Sequence, residues 1–207
     1  MSSRNRFLTI EGIEGVGKST HVGSVVEALR QRGRDVVRTR EPGGCPVADR
    51  IRSLLLDPEG DVPLAETELM LLFAARIEHI GRVIQPALDA GQDVVCDRFT
   101  DATYAYQGGG RELPAERIAA LEAWVQGDLR PGRTILLDAP VSVALERARG
   151  RGAADRFEQE AAAFFERARA VYLARAESEP GRFRVIDASG PVEQVRERVV
   201  AAALEDT

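Results

Sequence analysis

Apolar runs of four or five residues alternate along this chain with longer stretches in which apolar side chains return every three or four positions. The first pattern is that of buried parallel strands and the second that of amphipathic helices, so the order reads β-α-β-α throughout. Strands are expected at 7–11, 35–40, 93–97, 133–138 and 183–187. Helices are expected at 19–32, 47–56, 65–89, 114–126, 141–149, 158–177 and 191–204. Gly33 and Gly91 stop two of the helices, Pro86 lies near the end of the longest, and Gly108-Gly109-Gly110 should break the chain after residue 100. Such alternation predicts an α/β fold of three layers, a five-stranded parallel sheet covered by helices on both faces.

At 207 residues and 44% hydrophobic, the chain can fill one core, and no repeat or linker divides it; a single domain over 1–207 is expected. The net charge of -5 argues against a protein that coats nucleic acid. No apolar stretch is long enough to span a bilayer and the start is short and polar, so a cytoplasmic address is expected. Cys45 and Cys96 stand far apart with no CxxC, which reads as two reduced, buried thiols. All 28 basic residues but Lys18 are arginine. A chain that departs from guanidinium at one place points to a site that needs a compact point charge.

Lys18 lies inside Gly12-Ile13-Glu14-Gly15-Val16-Gly17-Lys18-Ser19, which matches G-x-x-x-x-G-K-[ST] between an expected strand and an expected helix. Glycines let backbone N–H groups turn inward around phosphate oxygens, and the helix adds its positive N-terminal end. Residues 12–19 with Thr20 are therefore the expected ATP cradle, Lys18 neutralising the β and γ phosphates and Ser19 reaching Mg²⁺. Guanine reading by N/T-K-x-D would need a second lysine, and the chain has none. A carboxylate at the end of a neighbouring strand is expected to join Ser19 at the metal. Asp97, followed directly by Arg98, is chosen over Asp138, which is followed by an exit turn and reads as structural. The segment 147–157 is rich in arginine, glycine and alanine and predicts a small mobile lid. Arg149, Arg151 and Arg156 are its expected catalytic cations, with Arg147 solvated on its helix.

Taken together, these residues resemble the bacterial thymidylate kinase family along nearly the whole chain. The carriers are Glu11-Gly12 with the phosphate loop, Thr39-Arg40-Glu41-Pro42-Gly43-Gly44, Phe73-Ala74-Ala75-Arg76, Asp97-Arg98-Phe99, the run from Tyr104 through Arg111, Asp155-Arg156-Phe157-Glu158-Gln159-Glu160 and Asp187-Ala188. The resemblance implies a nucleoside-monophosphate-kinase fold, a Mg²⁺-dependent transfer from ATP to dTMP and a homodimer. It implies that Arg76 and Arg98 contact the dTMP phosphate and base, and that Thr103 reads the thymine edge. Tyr106 and Gln107 wall the nucleoside, Glu14 faces the acceptor, and Glu41-Pro42 is the loop peptide commonly found cis. Asp187-Ala188-Ser189 resembles the loop beside adenine, and an arginine-free phosphate loop paired with an arginine-rich lid is similar to the enterobacterial subtype.

One position departs from the pattern. Many members place a phenylalanine four residues before the arginine equivalent to Arg76, where it stacks on thymine; Leu72 stands there in this chain and Phe73 follows it. Neighbours on a helix point about 100° apart. Phe73 is assigned here as the aromatic cover, with Leu72 as the competing choice. Two rival functions stay open from the sequence: a kinase for another nucleoside monophosphate, and an ATP-binding switch module without turnover. His21 and His79 have no partner that the sequence identifies.

Overall fold

The computed structural model describes residues 6–149, 157 and 160–205, with the side chain of Arg149 outside that description. Its five strands are β1 (Phe7–Glu11), β2 (Val36–Arg40), β3 (Asp93–Asp97), β4 (Arg133–Asp138) and β5 (Phe183–Asp187). They form one parallel sheet in the order β2-β3-β1-β4-β5. Alternation sends successive side chains of a strand to opposite faces. Val95 accordingly joins the larger core with Leu8, Ile10, Ile135 and Leu137, while Val94 and Cys96 join Phe7 and Phe99 in the other. The larger core is closed by helices α1 (Lys18–Gln31), α8 (Ala162–Ser178) and α9 (Val192–Leu204), and the smaller by α4 (Gln85–Asp89). Cys45 and Cys96 are both buried free thiols. Among the described residues no helix is long and apolar enough to cross a membrane.

The remaining helices are α2 (Pro46–Leu56), α3 (Ala65–His79), α5 (Thr100–Thr103), α6 (Ala115–Gln126) and α7 (Val141–Arg149). The long helix expected at 65–89 is continuous but not uniform, because Ile80–Ile84 widens into a π-helical segment between α3 and α4. Pro86 follows it in the first turn of α4 and has no N–H to donate, and a widened turn ahead of a proline makes room for its ring. A second correction concerns the three glycines. Instead of breaking the chain, Tyr104–Gly110 continues α5 as a π-helical segment. The glycines serve close approach: a Cβ at Gly110 would overlap the Phe164 ring of α8, and one at Gly109 would press on the Arg167 carbonyl. The helix expected from residue 158 begins at Ala162.

β1 and β3 are neighbours, but the chain leaves β1 toward β2 on one side of the pair and leaves β3 toward β4 on the other. A crevice opens outside the C-terminal ends of strands at such a switch point. Register places Ile10 beside Asp97, which brings the loop after β1 next to the turn after β3. The fold thereby sets the glycine-rich loop against Asp97 and Arg98.

Candidate active site

The loop between β1 and α1 takes positive φ at Gly12, Gly15 and Gly17. At Gly15 the requirement is double, since a Cβ would also overlap the Ala144 carbonyl at the start of α7. Ile13 and Val16 point down into the core and pin the loop, leaving its polar face open. The side chain of Lys18 is buried and donates to the Ile13 carbonyl at 2.7 Å. Burial first, and then the neighbouring Arg98 charge, pull its ammonium down to about 8. Glu14, Asp97 and Glu11 offset only part of that fall, so a further anion such as a polyphosphate would favour the charged form.

Ser19 donates from Oγ to Asp97 Oδ2 at 3.1 Å, so the two oxygen ligands expected for the metal stand side by side at the mouth of the loop. Two hard oxygens, one anionic, beside a phosphate cradle fit Mg²⁺, which fills its shell with phosphate oxygens and water. Thr20 is exposed one residue further along α1. Asp138 is occupied elsewhere: Arg169 grips it through two nitrogens at 2.7 and 2.9 Å, as a structural acid should be.

Two cavities meet here. The first, of about 650 Å³, is lined by Gly15, Gly17, Lys18, Ser19, Arg40 and Asp97. The second, of about 590 Å³, is lined by Pro42, Leu56, Leu72, Arg76, Phe99, Ala102, Thr103, Tyr106, Gln107 and Phe157. Glu14, Glu41, Arg52 and Arg98 line both and form the seam.

At the seam, Arg98 sits in the left-handed region with φ 68 and turns its guanidinium back toward the loop. It donates to the Gly12 carbonyl at 2.9 Å, to Glu14 at 2.9 Å and to the Tyr106 hydroxyl at 2.9 Å. The turn that aims it is held from below. The buried Glu11 carboxylate accepts from the Phe99 N–H at 2.6 Å and from the Tyr172 hydroxyl at 2.8 Å, and Tyr172 in turn meets Arg98 at 3.4 Å. Burial, reinforced by Asp101, pushes the Glu11 carboxyl up to about 8.

Away from the seam, Arg76 lines only the second cavity. Its Nε donates to Glu41 at 2.7 Å, one terminal nitrogen to Thr103 at 2.9 Å and the other to Gln126 at 3.4 Å. Burial alone would raise the Glu41 carboxyl, but Arg76 and His79 outweigh it and hold it below its usual range. Gln107 also lines this cavity, with its amide nitrogen given to Glu68 at 2.8 Å. The Glu41-Pro42 bond is cis.

The assignment of Phe73 as cover is corrected. Leu72 shares a helix face with Arg76, four positions on, and lines the cavity; Phe73 is rotated away and packs with Leu69 and Ile118. Phe73 instead backs Arg76, whose guanidinium lies 4.8 Å from its ring and 5.0 Å from that of Phe99. Arg147 is likewise not simply solvated, since it donates to the carbonyls of Ala188 and Ser189 and ties α7 to the loop after β5. In that loop Asp187 caps the Ser189 N–H and hydroxyl. Arg151 and Arg156 lie outside the described residues, and Arg149 is described only as the last residue of α7.

Sequence reasoning missed Arg52, which donates to the Pro42 carbonyl at 2.9 Å. It also missed Arg40 and the wall residues Leu56, Ala102 and Phe157. Only one clue to Arg52 existed, a cation inside the apolar pattern of α2.

A family model described as thymidylate kinase matches residues 10–199. A thymidylate kinase of Pseudomonas putida (strain W619) is 57% identical, the match covering 94% of each chain. One of Ectopseudomonas mendocina (strain ymp) is 58% identical over 92% of this chain and 90% of the relative. Among solved structures, the crystal structure of thymidylate kinase from Ehrlichia chaffeensis superposes with a TM-score of 0.77 at 30% identity, covering 94% of this chain and 96% of that one. With the motif, the paired cavities and this likeness along almost its entire length, the chain belongs to the thymidylate kinase family.

Proposed function

We propose that the chain transfers the γ-phosphoryl group of ATP to dTMP, giving ADP and dTDP for dTTP synthesis. The observation that carries this reading is the seam. One cavity is walled by a phosphate loop, the other by apolar side chains with a few fixed polar groups, and Glu14, Glu41, Arg52 and Arg98 belong to both.

ATP lies with its phosphates on residues 12–20, held by the loop N–H groups and Lys18. Ser19 and Asp97 are the residues that hold Mg²⁺, which when bound screens charge on the β and γ phosphates. dTMP enters the second cavity with its phosphate toward Arg98 and Arg52 at the seam and its base toward Arg76, Thr103 and Leu72. This division sharpens the sequence reading, which gave Arg76 a share of the phosphate. Pro42, Tyr106 and Gln107 enclose the nucleoside. The acceptor phosphate oxygen is already anionic, so it attacks the γ-phosphorus without a general base while the bond to the ADP oxygen breaks. Catalysis is then positioning and charge compensation. Arg149, Arg151 and Arg156, from the arginine-rich segment 147–157, complete that compensation as a lid over the donor. The whole chain acts as one catalytic unit, a cytoplasmic homodimer in the cell.

ADP release measured with dTMP, dUMP, AMP, CMP and GMP as acceptors tests the assignment. Turnover should be fastest with dTMP, and a preference for a purine nucleotide would defeat the substrate assignment. ATP binding without turnover of any acceptor would favour the switch module.

A further inference from the structure

We propose that His79 is a positioning residue for acceptor recognition: it holds the Glu41 carboxylate against Arg76 and thereby fixes the direction in which Arg76 meets the nucleotide. The proposal rests on the reading of the second cavity as the dTMP site.

His79 is the last residue of α3, three positions after Arg76, and its side chain is fully buried. It lines neither cavity, so it does not touch a substrate. Both ring nitrogens are engaged. Nδ1 lies 3.0 Å from Glu41 Oε1, and Nε2 lies 2.6 Å from Thr39 Oγ1. Thr39 and Glu41 are two residues apart where β2 runs into the loop, so one imidazole clasps the strand end at both positions. Its ring packs directly on the backbone of Gly44, where a Cβ would come within 2.6 Å of it.

The other Glu41 oxygen, Oε2, takes the Arg76 Nε. A carboxylate held by one donor can swivel about its last torsion, whereas donors on both oxygens fix its plane. The backbone of Glu41 is fixed as well, its N–H donating to the Asp97 carbonyl at 2.9 Å. With Phe73 and Phe99 packed around the guanidinium, Glu41 makes the shortest of the three hydrogen bonds that set how Arg76 is turned, and the one charged contact among them. Guanidinium carries five N–H groups, and Glu41, Thr103 and Gln126 take three. The direction of the remainder follows from the plane these three bonds set. His79 thus acts on the acceptor through two intervening side chains, a role that explains why an imidazole is buried here away from any reacting atom.

The test uses the full-length enzyme with His79→Gln, His79→Leu and Thr39→Val. KM for dTMP, KM for ATP, kcat and the urea midpoint are measured for each. Loss of one charge-assisted contact should raise the dTMP KM about tenfold in the His79 variants, and Thr39→Val, which removes only the far clasp, should raise it about threefold. KM for ATP and kcat should stay within about twofold of wild type. In a Glu41→Gln background, His79→Gln should add no further loss, because the path runs through Glu41. An unchanged dTMP KM, a full additional loss in the double variant, or equal rises in both KM values would each overturn the proposal. If His79→Leu fails to fold, Thr39→Val still decides the question through the same split. A wild type that phosphorylates dTMP while the variants show no split defeats this proposal alone. A wild type that does not accept dTMP defeats the functional reading and takes the proposal with it.

Discussion

Arg98 donates to the Glu14 carboxylate at 2.9 Å, and this contact ties the turn after β3 to the phosphate loop after β1. Both residues lie on the seam between the two cavities, where the proposed function has donor and acceptor phosphates meet. Its guanidinium also depresses Lys18, second only to burial. Lys18 and Arg98 are thus two cations that feel one another, with the Glu14 carboxylate acting on both, and the proposed function sets the phosphates of ATP beside them.

Lys18→Met should lower kcat by about 10²- to 10³-fold or more, the loss expected when one preorganised charge facing the transferring group is removed. The fold should survive. Lys18 gives the protein one hydrogen bond, to Ile13, and its burial is costly, so the unfolding free energy should change by no more than about 1 kcal/mol. Steady-state kinetics with a denaturant titration check both halves; wild-type turnover would contradict the role given to Lys18.

ATP binding should depend on pH through the same residue. The free-site ammonium titrates near 8, and bound phosphates favour its charged form and raise that value. Below about pH 7 the group is charged in both states and binding takes up no proton through it. As pH rises through 8 the free site loses its proton, so uptake on binding should climb toward about one proton and affinity should fall. Calorimetry in buffers of different ionisation enthalpy measures the uptake, and Lys18→Met should abolish it.

Leu72 and Phe73 should separate cleanly. Phe73→Ala empties a buried site between α3 and α6 and should cost about 3–5 kcal/mol of stability. Leu72→Ala lies on the cavity wall, so it should raise the dTMP KM while costing about 1 kcal/mol or less. Thermal unfolding beside dTMP kinetics distinguishes the two, and the opposite ranking would restore Phe73 as the cover of the base.

What the sequence made legible was local. β3 could be read as an apolar run closing on Asp97, and the phosphate loop as glycines flanking Lys18, because each depends on neighbours in the chain. Strand ends and helix ends mostly fell within a residue or two for the same reason. What it concealed was rotation and distance. The turn between Leu72 and Phe73 depends on α6 arriving from more than forty positions away, and the clasp of His79 on Glu41 joins residues 38 positions apart. Gly108-Gly109-Gly110 looked like a breaker because the helix that needs their missing side chains, α8, lies far along the chain. Arg52 gave almost no sign, since an arginine on an amphipathic helix ordinarily faces water.

Ser19→Ala and Asp97→Asn should each raise the Mg²⁺ concentration for half-maximal rate, Asp97→Asn more, because it removes the anionic oxygen of the pair. Rate against free Mg²⁺ at saturating ATP and dTMP reads the effect directly. An unchanged midpoint in both variants would place the metal elsewhere.

The central claim, that two nucleotides meet end to end across the Arg98–Glu14 seam, is tested most directly with a single molecule joining adenosine and thymidine through a chain of five phosphates. Such a compound spans both cavities and converts two binding events into one, so calorimetry should show it binding at least about 10²-fold more tightly than ATP or dTMP alone, one molecule per chain. Binding no tighter than the better of the two nucleotides, or continued binding of dTMP once the joined compound saturates the protein, would contradict the account.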